Sequence, residues 1–141
     1  SESDTFASLM TLLPTETLLG SLVIDLNNDT YDDEVIVVRK SVSPYIYVIP
    51  GIYDSEKMTY ERVAEIQTTI SKTRTFTFTG IDITGDHHNE LVYQGDDDFG
   101  NYVMQIFLFR QNRDKNEMSM IGDFTSDGTI FIIFYLIMLF I

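Results

Sequence analysis

The chain has 141 residues, of which 44% are hydrophobic and 13% aromatic, and its 22 acidic against 9 basic side chains give a formal net charge of −13. This hydrophobic content predicts a folded chain rather than a disordered one, and the length fits one domain with a real core. The acidic balance argues against a nucleic-acid partner, because phosphates are neutralised by a basic face. The chain has no cysteine, so its sequence carries no information on disulfides.

The chain begins with a predicted lead-in segment over residues 1–20. Four of its apolar side chains have helical spacing: Phe6, Leu9, Met10 and Leu13. Pro14 would end such a helix early, so we expect a short helix or an irregular segment. A first strand is expected at residues 21–25, as the start of a repeat-containing β domain over residues 21–135.

After this strand, residues 25–33 carry a regular pattern of oxygen-bearing side chains. Asp25, Asn27, Asp29 and Asp33 stand at loop positions 1, 3, 5 and 9, and Tyr31 at position 7 would add its backbone carbonyl. A tight loop with this spacing turns its odd-numbered side chains towards one point. Hard cations such as calcium take six to eight oxygen ligands in flexible geometry. The sequence therefore predicts a calcium site in this loop.

The residues after the loop distinguish it from an EF-hand. An EF-hand begins with the same spacing, but it needs a bidentate Glu at position 12 and flanking helices. Position 12 here is Ile36, inside the β-branched run of residues 35–38, which predicts a strand. The pattern therefore indicates a calcium loop that leads into a strand.

The same pattern recurs at residues 82–90. Its oxygen-bearing side chains at positions 1, 3, 5 and 9 are Asp82, Thr84, Asp86 and Glu90. A third stretch starts at Asp123 but has Phe131 at position 9, so we expect it to bind no ion. A motif that recurs between strand-like segments indicates an internal repeat.

The two stretches DLNNDTYDDEV and DITGDHHNELV resemble the calcium loops of FG-GAP-like (integrin-type) repeats. The resemblance implies calcium as the bound ion and strands arranged in β-propeller blades. Thr30 and His87 stand where that family usually has Gly, which is the residue best suited to such a turn.

In its acidic, strand-rich character the chain also resembles, more loosely, the spirochaetal pallilysin-related adhesins, a bacterial surface family. This resemblance implies an extracellular or bacterial cell-surface location. The chain lacks the HExxH zinc motif of pallilysin-type proteases.

Alternating and β-branched segments predict further strands at residues 34–40, 45–50, 60–67, 73–83, 91–94, 102–110 and 118–124. The predicted fold is all-β and built from antiparallel hairpins. A propeller closes with about 4–8 four-stranded blades, whereas this chain offers about two. The two alternatives are therefore propeller-like blades joined by calcium-type loops and a small self-contained β-barrel.

The C-terminal residues 130–141 are twelve consecutive uncharged, hydrophobic residues. A membrane-spanning helix needs about 20 apolar residues, and shorter runs are more often buried core. We therefore expect a strand at residues 130–135, an apolar tail at residues 136–141 and no membrane span. The alternatives are a truncated membrane segment and a chain end that does not continue the domain naturally.

Other polar and aromatic clusters have a functional and an ordinary interpretation. His87 and His88 could contribute to a zinc site, but adjacent loop histidines point apart and we expect them to be exposed. The three aspartates of residues 96–98 are expected to form a solvated turn rather than a cation site. Four tyrosines could form a ligand surface, but we expect them mainly to pack in the sheet: Tyr45, Tyr47, Tyr53 and Tyr60.

The sequence carries no catalytic signature: it has no Cys, no G-x-S-x-G, no HExxH and no phosphate-binding glycine loop. It predicts a calcium-stabilised surface binding module without catalytic activity. Such a module would contact a host or matrix protein through exposed loops, and the candidates are residues 53–57 and 96–101. The alternative is a metal-dependent hydrolase in which residues 82–90 hold a catalytic ion.

Overall fold

The computed structural model describes residues 8–126, which form nine strands and a single 3-10 turn at Thr73–Thr75. In chain order the strands are β1 (Glu16–Ile24), β2 (Asp33–Lys40), β3 (Ile46–Asp54), β4 (Thr59–Arg62), β5 (Ile66–Gln67), β6 (Thr77–Ile81), β7 (Glu90–Asp96), β8 (Tyr102–Asn112) and β9 (Lys115–Ser126). The prediction of an all-β chain of antiparallel hairpins is confirmed. The chain divides into two compact units, of which the first ends at Thr68 and the second begins at Thr69.

Each unit contains one antiparallel sheet. In the first unit the strand order is β1-β2-β3-β4, with the short β5 also paired to β3, and in the second it is β6-β7-β8-β9. Apart from the β3–β5 pair, neighbouring strands in each sheet follow one another along the chain, so both units are meanders. The described strands form two open sheets rather than one closed sheet, so the alternative of a small β-barrel is wrong for residues 8–126.

Several strand boundaries differ from the predicted ones. β1 begins at Glu16, inside the predicted lead-in, and residues 8–15 contain no helix. The strand expected at residues 60–67 is interrupted between β4 and β5, and the one expected at residues 73–83 opens with the 3-10 turn and contains only β6. The β8–β9 hairpin is longer than predicted because its register continues to the Asn112–Lys115 pair.

The first sheet buries a core beneath residues 8–13, a part of the lead-in segment that lies before β1 in the described structure. Met10 is 4% exposed and forms a cluster with three buried aliphatic residues of β2 and β3: Ile36, Val38 and Ile49. A Cβ atom at Gly51 would lie 2.5 Å from Met10 Sδ, so the absence of a side chain at Gly51 makes room for Met10. The carboxylate of Glu34, itself 1% exposed, accepts the backbone N–H groups of Leu9 (3.0 Å) and Met10 (2.8 Å).

An ion cluster joins β1, β2 and β4 on the first sheet. Both carboxylate oxygens of Glu16 accept hydrogen bonds from Arg62, each at 2.7 Å, and Lys40 Nζ lies 3.6 Å from Glu16. The Glu16 side chain is fully buried. The hydrogen bonds from Arg62 lower the pKa of Glu16 to about 2. Lys40 also lies over the Tyr47 ring, 5.0 Å from its centroid, and pairs with the exposed Glu65.

The second sheet has an aromatic stack on one part of β7. Tyr93 is 1% exposed, and its ring stacks on Phe76 and Phe107 with centroid distances of 5.8 and 6.1 Å. Burial raises the pKa of the Tyr93 hydroxyl, which pairs with Gln105. A second cluster contains Val92, Met104 and Ile106.

The predicted strand at residues 130–135 and the apolar tail at residues 136–141 lie outside the described residues. Within residues 8–126, no helix has the length and apolar character needed to cross a membrane.

Candidate metal-binding loops

Loop 1 (residues 25–33) connects β1 to β2 and is folded around its first carboxylate. Asp25 follows the last residue of β1, and its two oxygens accept the backbone N–H groups of Asp29 (3.3 Å) and Thr30 (2.8 Å). Asp29 in turn accepts the N–H of Tyr31 at 3.0 Å. These local bonds curl the chain into successive tight turns, as Asp side chains commonly do in loops.

Asp33, at position 9, ties loop 1 to the sheet. It is the first residue of β2 and is fully buried, with one oxygen accepting the N–H of Leu26 and the other the N–H of Tyr53, both at 2.8 Å. Burial raises the pKa of Asp33, and the nearby charges of Asp29 and Asp25 add to this effect. A cation between the three carboxylates would offset both causes, because it favours their charged forms.

Loop 2 (residues 82–90) repeats this geometry between β6 and β7. The carboxylate of Asp82 accepts the backbone N–H groups of Asp86 at position 5 (3.2 Å) and of His87 at position 6 (2.9 Å). The His88 N–H donates to Asp86 at 3.0 Å, and the Ile83 N–H donates to Glu90 at 3.1 Å. All four bonds have a counterpart at the same position of loop 1. The two loops also close equivalent strand pairs, Ile24 with Asp33 and Ile81 with Glu90.

Both loops place positions 4 and 6 in the left-handed region of the backbone. In loop 1 the φ angles are 60° at Asn28 and 73° at Thr30, and in loop 2 they are 77° at Gly85 and 68° at His87. Asn and Gly tolerate this conformation well, whereas a β-branched residue such as Thr does not. The sequence-based expectation that position 6 is a turn better suited to Gly agrees with these angles.

Each loop brings three predicted ligands together. Carboxylate oxygens of Asp25, Asp29 and Asp33 lie within 4.8 Å of one another, and so do those of the second triad: Asp82, Asp86 and Glu90. Each group could hold a metal ion, because the separations allow one cation to contact all three carboxylates. Both position-9 carboxylates are fully buried.

The uncharged predicted ligands behave differently in the two loops. In loop 1, Asn27 Nδ2 donates a hydrogen bond to Asp29 at 3.2 Å. Asn27 Oδ1 is buried and has no hydrogen-bond partner, which is true of only one other buried side-chain oxygen or nitrogen within residues 8–126. In loop 2, the Thr84 hydroxyl donates to Glu90 at 2.8 Å. Loop 1 therefore retains an acceptor that needs a partner, which a cation would supply. The Tyr31 ring is half-exposed.

The third stretch does not begin as a loop. Asp123 lies inside β9 opposite Gln105, whose Nε2 donates to it at 3.0 Å. The prediction of a loop start at Asp123 is therefore wrong, because the β8–β9 pairing extends over this residue. Phe131, at the ninth position, lies outside the described residues.

Neither triad includes a histidine, so the arrangement does not favour zinc in loop 2. His87 is exposed and His88 partly so. The His88 backbone N–H, together with the Thr84 hydroxyl, lowers the pKa of the exposed Asp86. The pKa of Asp86 is thus shifted in the opposite direction to that of the buried Asp33.

The aspartates of residues 96–98 belong to the β7–β8 turn. Asp97 Oδ1 accepts the N–H groups of Phe99 and Asn101, both at 2.9 Å. Asp98 hydrogen-bonds the Ser71 hydroxyl. Asp97 therefore acts as a turn cap, and residues 96–98 form no acidic triad like those of the two loops.

Sequence patterns did not indicate two buried carboxylates of the first unit. Glu34 directly follows Asp33, yet its side chain holds the lead-in segment, and Glu16 was placed in the lead-in itself. Both have partners more than twenty residues away, so no local spacing could have shown these roles. No family model, curated protein or solved structure matches the chain.

We expect Thr30→Gly to stabilise the protein. The left-handed conformation costs a residue with a Cβ about 1–2 kcal/mol, and Gly avoids most of that cost, so the free energy of unfolding should rise by about 1 kcal/mol. Urea unfolding in the presence of a chelator measures the change without a contribution from metal. Thr30→Ala is the control, because it keeps the Cβ and should give little of the gain.

Proposed function

We propose that this chain is a calcium-stabilised binding module of an extracellular or bacterial cell-surface protein, adhesin-like and without catalytic activity. One observation carries the proposal: two loops of different sequence share four backbone-to-carboxylate hydrogen bonds and each collect three carboxylates. The shared bonds orient position 1, position 5 and position 9 alike in both loops. Such agreement is expected when both loops serve one purpose.

Calcium fits the donors better than other common cations. Each triad offers hard carboxylate oxygens, and loop 1 adds the Asn27 amide oxygen and the backbone carbonyl of Tyr31 at position 7. Zinc prefers nitrogen and sulfur ligands, and magnesium demands a stricter octahedral geometry than a loop of this kind imposes. The charge of −13 fits a chain that binds cations in its native state.

We further propose that each of the two units is a propeller-like blade. Each unit is a meander of at least four antiparallel strands with the acidic loop between its first two strands. Four-stranded meanders are the repeating element of propellers. This architecture agrees with the FG-GAP-like resemblance of the two loops, so the blade interpretation and the calcium interpretation support each other.

We expect calcium to raise the melting temperature of the protein. Without an ion the three carboxylates of each loop repel one another, and binding to the folded state alone adds RT ln(1 + [L]/Kd) to its stability. With dissociation constants of about 0.1–1 mM, as in extracellular calcium modules, ~5 mM calcium should add about 1–2 kcal/mol per site. Thermal melts in excess chelator and in calcium measure the shift.

The control for this experiment is Asp114→Asn, which removes one negative charge from the β8–β9 turn. It should keep the full calcium shift, whereas Asp29→Asn should lose most of the loop 1 contribution. Equal shifts in the wild type, Asp29→Asn and a double variant with Asp86→Asn would show that calcium acts elsewhere and would exclude the proposed sites.

We expect loop 1 to bind more tightly than loop 2. Position 3 of loop 1 offers the amide oxygen of Asn27, which has no hydrogen-bond partner, whereas position 3 of loop 2 offers the hydroxyl of Thr84, a weaker ligand that is also hydrogen-bonded to Glu90. Asp29→Ala should therefore remove more of the calcium shift than Asp86→Ala. Asp127→Ala, which changes the third stretch, should do almost nothing. Calorimetric titration that reports three equivalent sites would contradict this order.

The binding function is proposed for the turns that flank the sheets. The β3–β4 turn contains residues 55–58 and the β7–β8 turn contains residues 97–101; both are exposed at most positions. Phe99 and Met58 are 89% and 76% exposed, which is typical of residues that contact a partner. The partner we propose is a host or matrix protein.

A hydrolase would give a different result. Metal-dependent turnover of a panel of peptides, glycans and phosphoesters, lost in Asp86→Ala or Glu90→Ala while the protein remains folded, would replace the binding module by the enzyme. The expected result is no turnover at any calcium concentration, because the acids of loop 2 are all assigned as ion ligands and no set of nucleophile, base and orienting residue is left over.

A further inference from the structure

The end of β3 is attached to loop 1 at two points. Asp33, the last residue of loop 1, accepts the backbone N–H of Tyr53 at 2.8 Å. The ring of Tyr31, at position 7 of loop 1, contacts the Tyr53 ring with a centroid distance of 5.9 Å. Loop 1 therefore holds Tyr53 both by its backbone and by its side chain.

Tyr53 leads directly into the β3–β4 turn. It pairs with Tyr60, and the centroids of the two rings are 5.1 Å apart. One further residue pair, Asp54 with Thr59, lies between this pair and the turn of residues 55–58. Asp54 Oδ1 caps the turn by accepting two of its backbone N–H groups, at 2.9 and 3.1 Å. The order of this short hairpin end therefore depends on how firmly Tyr53 is held.

The second unit is built differently at the equivalent place. The carboxylate of Glu90, which ends loop 2, accepts the Ile83 N–H and the Thr84 hydroxyl, both within loop 2 itself. Position 7 of loop 2 is His88 rather than a tyrosine. The β8–β9 hairpin also has eleven residue pairs, against four in the β3–β4 hairpin. Strand pairing, rather than loop 2, therefore holds the β8–β9 turn.

An ion in loop 1 would stabilise both points of attachment to β3. Asp33 is one of the three carboxylates of loop 1, and Tyr31 supplies the backbone carbonyl at position 7. Each carboxylate oxygen has two lone pairs, so Asp33 can contact an ion while it keeps the hydrogen bond from Tyr53. Without an ion, repulsion among the three carboxylates opposes the loop conformation that supports Tyr53.

We propose that calcium in loop 1, acting through Asp33 and Tyr31, controls the order of the β3–β4 turn and thereby the binding of a partner at residues 55–58. Calcium lowers the population of locally opened forms of the turn, because opening at Tyr53 breaks contacts that the ion stabilises. Coupling between two sites is reciprocal, so a partner that selects the ordered turn raises the calcium affinity of loop 1 by the same factor. This inference rests on the proposed function and specifies its regulation.

Limited proteolysis with trypsin measures the opening of both turns in one sample. Lys57 and Arg113 are exposed basic residues of the β3–β4 and the β8–β9 turn, respectively, and cleavage after each follows the population of its open form. On going from chelator to ~5 mM calcium, wild-type cleavage after Lys57 should slow about fivefold relative to cleavage after Arg113. The ratio of the two rates cancels any effect of calcium on trypsin itself.

Two ligand variants test which loop controls the turn. Asp29→Asn removes one carboxylate of the loop 1 triad and should abolish the calcium effect on Lys57. Asp86→Asn makes the same change in the loop 2 triad and should keep that effect. The opposite pattern, or an equal effect of calcium in both variants, would overturn the proposal, since loop 1 would then not be the controlling site.

Tyr31→Ala tests the ring contact with Tyr53 while it keeps the backbone carbonyl at position 7. The calcium effect on Lys57 should fall to about twofold, because an aromatic pair is lost, and the melting shift with calcium should remain. Tyr31→Phe keeps the ring and should restore the full effect. Equal calcium effects in these two variants would show that Tyr31 does not carry the coupling and would overturn the proposal.

The melting shift separates this inference from the calcium proposal. A calcium-dependent melting shift with an unchanged ratio of the two cleavage rates would overturn the inference alone, since calcium would then stabilise the fold without controlling this turn. The absence of both the melting shift and the change in ratio would overturn the calcium sites as well.

Discussion

Glu16→Gln should destabilise the protein by about 3–5 kcal/mol, which is the usual cost of removing one partner from a buried ion pair. The Glu16 side chain is fully buried, and the variant would leave Arg62 and Lys40 without the carboxylate that faces them. Urea unfolding at neutral pH measures the difference. The cost falls on the first unit, because Glu16 joins β1 to both β2 and β4.

Glu65→Gln is the matched control, since Glu65 pairs with the same lysine but has a 46% exposed side chain. An exposed pair contributes about 0–1 kcal/mol, so this variant should unfold almost as the wild type does. Equal losses in the two variants would mean that burial of Glu16 does not decide the effect.

The same carboxylate should also give the protein a characteristic acid sensitivity. The pKa of Glu16 falls from 4.5 in its ordinary environment to about 2 in the folded protein, so the unfolded chain takes up its proton at a higher pH. The contribution of Glu16 to stability is therefore fully present above about pH 4.5 and is lost as the pH falls towards 2. Glu16→Gln should lack this part of the wild-type decline between those pH values.

Asp33→Ala should destabilise the protein even without calcium. The variant leaves the N–H groups of Leu26 and Tyr53 without their acceptor, and a buried donor without a partner costs about 1–3 kcal/mol. We expect a loss of about 2–4 kcal/mol in chelator, measured by urea unfolding, together with loss of the calcium shift of loop 1.

Asp29→Asn is the companion variant that separates the two roles of loop 1. Asp29 is exposed and accepts only local hydrogen bonds, so its replacement should change stability in chelator by less than about 1 kcal/mol while removing most of the calcium shift. If Asp33→Ala is no more harmful than Asp29→Asn in chelator, Asp33 is a ligand only and does not fasten the loop to β3.

The strands were predictable where the sequence pattern is strong. The β-branched run at residues 35–38 predicts β2, and the observed strand is buried along six of its eight residues. Hydrophobic and β-branched content is sufficient here because such side chains suit a pleated, buried surface whichever neighbours they have. The start of β1 was missed because Glu16 and Thr17 look polar, and only pairing with Lys40 and Arg39 places them in a sheet.

The two loops were predictable as far as the acidic side chains that meet in each triad. Oxygen-bearing residues at alternate positions must converge if the loop is tight, so the sequence alone determined which carboxylates could meet. The resemblance to FG-GAP-like loops, in which Gly usually stands at position 6, also indicated a turn there that suits Gly. The sequence also determined the fold class, because its apolar residues alternate or run in short β-branched segments and lack long helical periodicity.

Only the tertiary structure decided how these parts are fastened. Asp33 reaches Tyr53, Glu34 reaches the lead-in segment, and Glu16 reaches Arg62, over separations of 20, 24 and 46 residues. Such partners depend on which strands pair and in which register. The residues next to Asp33, Glu34 or Glu16 in the sequence do not determine that pairing. Asp123 is the reverse case. Its local sequence resembles the start of a loop, but it lies in β9 because eleven residue pairs join β8 and β9. Local chemistry therefore determined the loops of this protein, whereas strand register decided which carboxylates are buried, because burial is a property of the assembled sheet.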